Sequence, residues 1–202
     1  DVVTVDGSVY AYPMTAGNGY FLYYNKAYYK DSDLKTLDQI LDVAAKNNKK
    51  FTMDFNNGWY IYSYFQGAGL TLNLSEDGLT NECNWNAKNT TYTGVDVAEA
   101  MLAIAGHPGF VNLGDDGFVE GVQSGASIAL IFDQFQSGYY VATEKVGRAW
   151  NAGKVEEAWG DDYGAVMLPT YTLDGDQVQM YSFAGYKLMG ISAYSAYPEW
   201  SM

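Results

Sequence analysis

The residues best suited to ligand binding in this sequence are aromatic rings that stand beside amides and carboxylates. The segment NNGWYIYSYF, residues 56–65, places Trp59 and Tyr60 directly after two asparagines and a glycine. A second segment, DQFQ at residues 133–136, surrounds a phenylalanine with a carboxylate and two amides. A ring can cover the flat apolar face of a ligand such as a sugar, while the polar groups bond to hydroxyls at its rim. The aromatic residues of the first segment also recur at helical spacing, so a place in the core is the alternative.

Few residues could carry enzymatic chemistry. His107 is the only histidine, and its position in GHPG favours a surface or capping role. No Ser–His or Cys–His catalytic arrangement can therefore be assembled without it. The single Cys83 cannot form an intramolecular disulfide and is expected to be a buried or unreactive thiol. No metal-ligand spacing or phosphate-binding glycine motif is present, so no cofactor is predicted. A pair of distant carboxylates for glycoside hydrolysis stays open, because such pairs assemble from separate segments.

Charge and length narrow the class of partner. The chain has 202 residues and a net charge of −13, from 24 acidic and 11 basic residues. Such a charge repels phosphate backbones and anionic lipids, so nucleic acid and membrane surfaces are poor candidates as partners, and no nucleic-acid partner is predicted. The length permits one large domain or two small lobes, and a hydrophobic content of 48% is enough for a core.

Helical patterns recur along the chain. The first helix follows Thr36, because Gln39 stands three residues later in a capping-box pattern and apolar residues then repeat at helical spacing. Those apolar residues are Leu37, Ile40, Leu41 and Ala44. Further helices are predicted for residues 96–105, with Asp96 as the N-cap, and for residues 118–123 and 137–146.

Strand and turn patterns stand between these helices. Continuous apolar runs at residues 127–132 and 164–168 predict strands that are covered on both faces. Asp-Gly pairs predict turns at four places, residues 6–7, 77–78, 116–117 and 174–175. The polar stretch at residues 81–93 predicts a surface loop. Helices that alternate with buried strands predict an open α/β sheet.

Four segments, in a fixed order, carry a family resemblance. In VDGSVYAYPMTAG, followed by LYYNK, a D-G-x-x-Y-x-x-P pattern precedes a strand ending in Y-N-K; the matching residues are Asp6, Gly7, Tyr10, Pro13, Tyr24, Asn25 and Lys26. VQSGASIALIFDQF (122–135) combines a short helix, a glycine, a buried strand and an aromatic-bearing turn. DYGAVMLPT (162–170) has a Y-G-x-x-x-L-P pattern, and FAGYKLMGISAYSAYPEW (183–200) ends at the start of a helix. Together these segments resemble the extracellular solute-binding proteins of sugar ABC transporters, in the maltose-binding-protein-like group.

The resemblance implies a fold of the periplasmic-binding-protein type II kind, in which two α/β lobes, each a mixed open sheet flanked by helices, close on a ligand. Residues 1–17 are then expected to form a hinge and first-lobe segment, residues 18–172 the second lobe, and residues 173–202 an incomplete return to the first lobe. Family chains are considerably longer, so this sequence is expected to match the middle of one. Tyr20, Tyr23 and Tyr24 are expected in a strand that enters the second lobe, mostly as core.

The resemblance also assigns roles in the cleft. Where this chain has Trp59 the family carries an aromatic residue that stacks on a sugar ring, with a polar residue just before it, so Asn57 is the expected hydroxyl partner. Strand ends face the crevice in such sheets, which makes Asp133, Gln134 and Phe135 a second candidate group. The remaining candidates are Tyr60, Asn18, Tyr12, Gly185 and Tyr186. Some maltose binders carry a sugar-binding glutamate at the hinge stretch 16–18, and its absence here argues against maltose itself.

The function implied by the resemblance is that of a monomeric, non-catalytic binding protein outside the cell, as a cell-surface lipoprotein or in the periplasm. It would capture an oligosaccharide and deliver it to the permease of an ABC transporter. Two alternatives stay open. One is a carbohydrate-active enzyme or lectin-like module. The other is a binding protein for a peptide or polyamine, whose ammonium group would pair with a cleft carboxylate such as Asp133.

Overall fold

The computed structural model describes residues 3–16, 19–133, 147–183 and 185–200. The strands are β1 (Thr4–Val5), β2 (Ser8–Val9), β3 (Tyr12–Ala16), β4 (Tyr20–Asn25), β5 (Lys50–Met53), β6 (Leu72–Leu74), β7 (Asn81–Cys83), β8 (Phe110–Asn112), β9 (Ser127–Asp133), β10 (Tyr163–Val166), β11 (Thr170–Leu173), β12 (Asp176–Gln179) and β13 (Tyr186–Met189). The helices are α1 (Leu37–Lys46), α2 (Gly58–Gly67), α3 (Gly94–Ala105), α4 (Asp115–Gln123) and α5 (Gly147–Trp159). Short 3₁₀ turns cover Asp31–Leu34, Gly160–Asp162 and Pro198–Trp200.

A five-stranded mixed sheet, in the order β10-β4-β9-β5-β8, organises most of these elements. β5 runs parallel to both of its neighbours, β8 and β9. β4 is antiparallel to both β9 and β10, with Leu22 opposite Ile131. Helices lie between the parallel strands along the chain, because parallel neighbours need a long crossover connection. The predicted mixed α/β sheet flanked by helices is confirmed.

The sheet is covered on both faces. In β9, four consecutive residues from Ile128 to Ile131 are buried, which a strand with one solvated face would not show. The predicted strand at residues 127–132 is thus confirmed and extends by one residue. α1 packs against the sheet through the four apolar residues that its periodicity predicted, all of which are buried: Leu37, Ile40, Leu41 and Ala44.

The helix starts follow from capping chemistry. Thr36 caps α1 as predicted, because its hydroxyl accepts a hydrogen bond from the Gln39 backbone N–H at 3.2 Å. The predicted N-cap of α3 is wrong by one turn. Thr93 is the cap, and Asp96 closes the capping box from the third helical position, accepting from the Thr93 N–H at 2.7 Å. A carboxylate can satisfy this role because its oxygen reaches back one turn to the exposed backbone donor.

Two of the Asp-Gly pairs form tight hairpins. Asp6–Gly7 joins β1 to β2 and Asp174–Gly175 joins β11 to β12, with both residues of each pair at positive φ, as type I′ turns require. A third pair, Asp77–Gly78, lies in the turn between β6 and β7. The prediction for Asp116–Gly117 is wrong, because both residues lie in the first turn of α4. The surface loop predicted at residues 81–93 is also wrong in part, because its first three residues form β7, which pairs with β6. The helix predicted at residues 137–146 lies outside the described residues.

The described residues form four two-stranded antiparallel pairs besides the main sheet, and two of them bear on the candidate site. β13 pairs with β3, so that Tyr186 faces Ala16 and Met189 faces Tyr12, with a register irregularity between Lys187 and Leu188. We call this the hinge pair, after the role that the sequence predicts for it. β11 and β12 form a hairpin that is fixed to α2, because the buried Tyr171 hydroxyl donates to the Tyr64 carbonyl at 2.8 Å. The boundary predicted after residue 172 falls within this hairpin, and the division into lobes stays a prediction.

The tyrosine-rich start of the chain is largely structural. Tyr20 and Tyr23 are buried in β4, and Tyr24 packs partly buried against the core, which confirms their predicted role. Tyr29 is also buried, and its hydroxyl donates to the Ile40 carbonyl of α1 at 3.0 Å. A phenol suits these positions because its ring fills the core while its hydroxyl reaches a polar partner.

Candidate functional site

The ends of the parallel strands gather at one edge of the main sheet. β5, β8 and β9 run in the same direction, and β4 begins where β9 ends, because Tyr20 pairs with Asp133. In α/β sheets the crevice outside the carboxyl ends of the strands is the usual ligand site. The loop at residues 54–57, the start of α2 and the start of β4 therefore surround the candidate site.

The polar side chains at this edge are held by local hydrogen bonds. Asp54 Oδ1 accepts from the Asn56 N–H at 2.9 Å, and Asn112 Oδ1 accepts from the Phe55 N–H at 2.9 Å. Asn57 is the N-cap of α2, where its Oδ1 accepts from the Trp59 N–H at 3.0 Å. Asn57 is partly buried, and the cap uses its carbonyl oxygen while its NH₂ group is left to donate elsewhere. The sequence analysis missed Asp54 and Asn112, although each stands at the end of a parallel strand.

Trp59 is the aromatic side chain at the start of α2, and it is partly buried. Its ring meets the ring of Phe183 edge to face, with centroids 4.8 Å apart and planes at 88°. Tyr20 lies on another side, with its ring centroid at 6.4 Å. The indole Nε1 is buried and has no hydrogen-bond acceptor among the residues that the structure describes. Aromatic rings therefore set the orientation of this indole.

Tyr60 follows Trp59 directly on α2, but its side chain is turned into the core. Its side chain has no exposed surface, and its ring packs against Tyr20 with centroids 5.3 Å apart. The predicted ligand contact is corrected here, because a ring without exposed surface cannot touch a ligand in this conformation. Tyr64, one turn later, is equally buried, so the alternative of a core role holds for both.

The hinge pair carries three predicted candidates. Tyr186 is 52% exposed at the start of β13, and Gly185 just before the strand is partly buried. Tyr12 is 49% exposed but stands at the other end of the pair, opposite Met189. There it lines a cavity of about 400 Å³ together with Tyr194. Tyr186 follows Phe183, whose ring contacts Trp59, by three residues. Tyr12 lies about four strand residues from that end of the hinge pair, roughly 13 Å away.

The second predicted group is only partly visible. Asp133 ends β9 beside Tyr20, which places its backbone at the site edge. The side chain of Asp133, and the whole of Gln134, Phe135 and Asn18, lie outside the described residues. Their predicted roles stay predictions.

The phenols at the site remain neutral at ordinary pH. Burial raises the pKa of Tyr20 to about 12 and also raises the pKa of Tyr62. The Tyr20 hydroxyl donates to the Tyr181 carbonyl at 3.4 Å. In the described ranges no group of three or more His, Cys, Asp or Glu side chains is placed to hold a metal ion.

The two residues with other reactive potential lie apart from this edge. His107 follows α3, where its Nδ1 accepts from the Gly109 N–H at 3.0 Å and its Nε2 lies 3.4 Å from Asp42. This agrees with the predicted surface or capping role. Cys83 is exposed on β7, so the first of its two expected states, a buried thiol, is wrong, while an unreactive thiol stays a prediction. All residues of β6 and β7 are exposed, so this two-stranded pair leaves the Cys83 side chain in solvent.

Aromatic rings and amides at the strand ends of an α/β sheet are typical of a ligand site. The model of the family described as bacterial extracellular solute-binding protein matches residues 1–201, and the chain belongs to this family. No match was found among curated proteins. No helix in the described part of the chain has both the length and the apolar character needed to cross a bilayer.

Solved structures share this fold. A protein solved with acarbose is 27% identical over 96% of this chain, with a TM-score of 0.72. The maltodextrin-binding protein MalE1 from L. casei BL23, solved without ligand, is 21% identical over 98% of this chain, with a TM-score of 0.70. A cyclo/maltodextrin-binding protein in complex with maltotetraose is 22% identical over 99%, with a TM-score of 0.65. This chain spans only 45%, 47% and 48% of those three chains, respectively.

Proposed function

We propose that this chain is the ligand-binding part of an extracellular solute-binding protein, that its ligand is an oligosaccharide, and that Trp59 is the stacking platform. The observation that carries the proposal is the pairing of Trp59 with Asn57 at the strand-end edge. The indole offers a flat face, and the amide beside it keeps an NH₂ group for a hydroxyl. Three of the similar structures support a glucose-based oligosaccharide, since they are described with acarbose, as a maltodextrin binder, or with maltotetraose.

The mechanism is capture without chemistry. The sugar ring stacks on Trp59, and Asn57 donates to one of its hydroxyls. The first lobe then closes over the ligand by motion at the hinge pair, because contacts made only in the closed form shift the population toward it. The closed protein delivers the sugar to the permease of an ABC transporter, acts as a monomer and works outside the cell.

The test is a calorimetric titration of the protein with linear α-linked and β-linked glucose oligosaccharides, a peptide mixture and polyamines. We expect binding to the α-linked series. Trp59→Ala should weaken it by about 2 kcal/mol, roughly 30-fold, from the lost stacking and the apolar area that stays wet. The matched control is Trp85→Ala, because Trp85 is also partly buried but stacks on Phe65 at 4.0 Å. This control should change the affinity less than about threefold.

Three outcomes would contradict the proposal. Equal losses in the two variants would remove Trp59 as the platform. Binding of polyamines alone, weakening as salt is added, would establish the non-sugar alternative. Release of shorter sugars from the oligosaccharide during the titration would establish an enzyme.

A further inference from the structure

Phe183 stands where the chain passes from the β11–β12 hairpin to β13 of the hinge pair. Its partly buried ring meets Trp59 edge to face at 4.8 Å and also meets Tyr62 at 4.8 Å, with planes at 67°. Trp59 and Tyr62 lie one turn apart on α2. Phe183 therefore occupies the groove between two aromatic side chains of the helix that carries the platform.

The backbone around Phe183 is fixed to two other elements. The Tyr181 N–H donates to the Ser63 carbonyl of α2 at 3.2 Å. Ser182 Oγ accepts from the Tyr20 N–H, at the start of β4, at 2.8 Å. Because both bonds hold the two residues before it, the position of the Phe183 ring is determined by the same segment that leads into the hinge pair.

Trp59 depends on this ring for its orientation. Its backbone is fixed by the Asn57 cap, but its indole N–H has no acceptor among the described residues. An indole without a hydrogen bond is held by packing alone. Of its two ring contacts in the described structure, the one to Phe183 is closer than the one to Tyr20, at 4.8 Å against 6.4 Å.

We infer that Phe183 is a positioning residue, which holds the Trp59 ring in its binding orientation and links that ring to the hinge pair. The inference rests on the proposed function as far as sugar affinity is concerned. Phe183 affects sugar affinity only through the orientation of the Trp59 ring, without touching the sugar itself. A shift of the hinge segment moves the Phe183 ring, and the platform moves with it.

The first experiment needs no ligand. The indole N–H resonance of Trp59 is assigned by its loss in Trp59→Phe, and its exchange with solvent is measured by NMR. In the wild type this proton is buried, so we expect slow exchange. In Phe183→Ala we expect exchange at least about tenfold faster, because the packing that holds the ring is gone. Exchange that stays at the wild-type rate would overturn the inference, whether or not a sugar binds.

The second experiment measures affinity for the α-linked glucose oligosaccharides. Phe183→Ala should weaken binding about tenfold, and Phe183→Tyr, which keeps the ring, should restore it to within about threefold. Phe65→Ala is the matched control, because Phe65 lies on the same helix and stacks on Trp85. It should lower the stability of the fold and leave affinity within about threefold.

The third experiment distinguishes action through Trp59 from a direct contact. In a Trp59→Ala background, Phe183→Ala should change the affinity less than about threefold, because the ring that it positions is absent. A further tenfold loss in that background would show that Phe183 acts independently, and would overturn the inference. If the wild type binds no saccharide, the proposed function fails, while the exchange rate of the indole proton still decides the role of Phe183.

Discussion

Asn57 combines two tasks that substitution can separate. Its Oδ1 caps α2 by accepting from the Trp59 N–H, and its NH₂ group is the proposed donor to a sugar hydroxyl. Asn57→Ala removes both. Asn57→Ser keeps the cap, because serine is as good an N-cap as asparagine. The serine side chain has no NH₂ group, however, so it cannot donate the proposed hydrogen bond to the sugar.

The expected magnitudes differ for the two tasks. Loss of an N-cap costs about 1 kcal/mol, which in a chain of this size lowers Tm by about 2–4 °C. Loss of one neutral hydrogen bond to the sugar costs about 0.5–1.5 kcal/mol, or about 2- to 13-fold in affinity. Asn57→Ala should therefore show both effects, and Asn57→Ser should show only the loss of affinity.

Thermal unfolding followed by circular dichroism, together with calorimetric titration of the sugar, measures the two effects on the same samples. Thr93→Ala serves as the control, since it removes the cap of α3, away from the site, and should lower Tm while leaving affinity unchanged. The reasoning is refuted if Asn57→Ser loses as much Tm as Asn57→Ala, or if it binds the sugar as tightly as the wild type does.

Three further perturbations test the fold. Gly67→Ala should destabilise by about 1–3 kcal/mol in urea unfolding, because its Cβ would overlap the Gln179 carbonyl oxygen; an unchanged midpoint would contradict the packing of α2 on β12. The hydrogen bond from the Thr93 N–H lowers the pKa of Asp96. This bond therefore stabilises the fold at pH values above the pKa of Asp96 in the unfolded chain, and the stabilisation is lost as pH falls through the lower pKa of the folded chain. Asp96→Asn should thus be less stable at neutral pH and match the wild type in acid. Burial raises the pKa of Tyr20 from 10.0 to about 12, so the contribution of its neutral phenol to the stability of the fold is complete below pH 10 and is lost as pH approaches 12. Tyr20→Phe should therefore unfold at a higher pH than the wild type in an alkaline titration followed by tyrosinate absorbance.

Local patterns in the sequence were sufficient for much of the fold. The periodicity of α1 named its buried face correctly, and the apolar run of β9 named a strand covered on both sides. The failures were also local. Asp96 and Thr93 both suit a cap, and only the backbone conformation decides which of them stands outside the helix. Asp116–Gly117 is a turn pair by composition, but it lies in the first turn of α4, where small and acidic residues are tolerated.

The candidate site was less predictable, because its contacts join residues far apart in the chain. The sequence singled out Trp59 and Tyr60 together, and only the phase of α2, set by the cap at Asn57, directs one toward the site and the other into the core. Phe183 meets Trp59 across more than a hundred residues, so no spacing rule could pair them. Asn112 joins the site through the parallel pairing of β5 with β8.

The exposed Cys83 gives this chain a chemical handle. It is the only thiol, so a maleimide dye would attach at one position without any engineering of the sequence. The dye would stand two residues from Trp85, whose indole stacks on Phe65 of α2, and indoles quench many fluorophores on contact. Its brightness would therefore follow the packing of α2, the helix that carries Trp59. The same thiol can form a disulfide only with another molecule, so a purified sample kept without reductant should gradually accumulate covalent dimers.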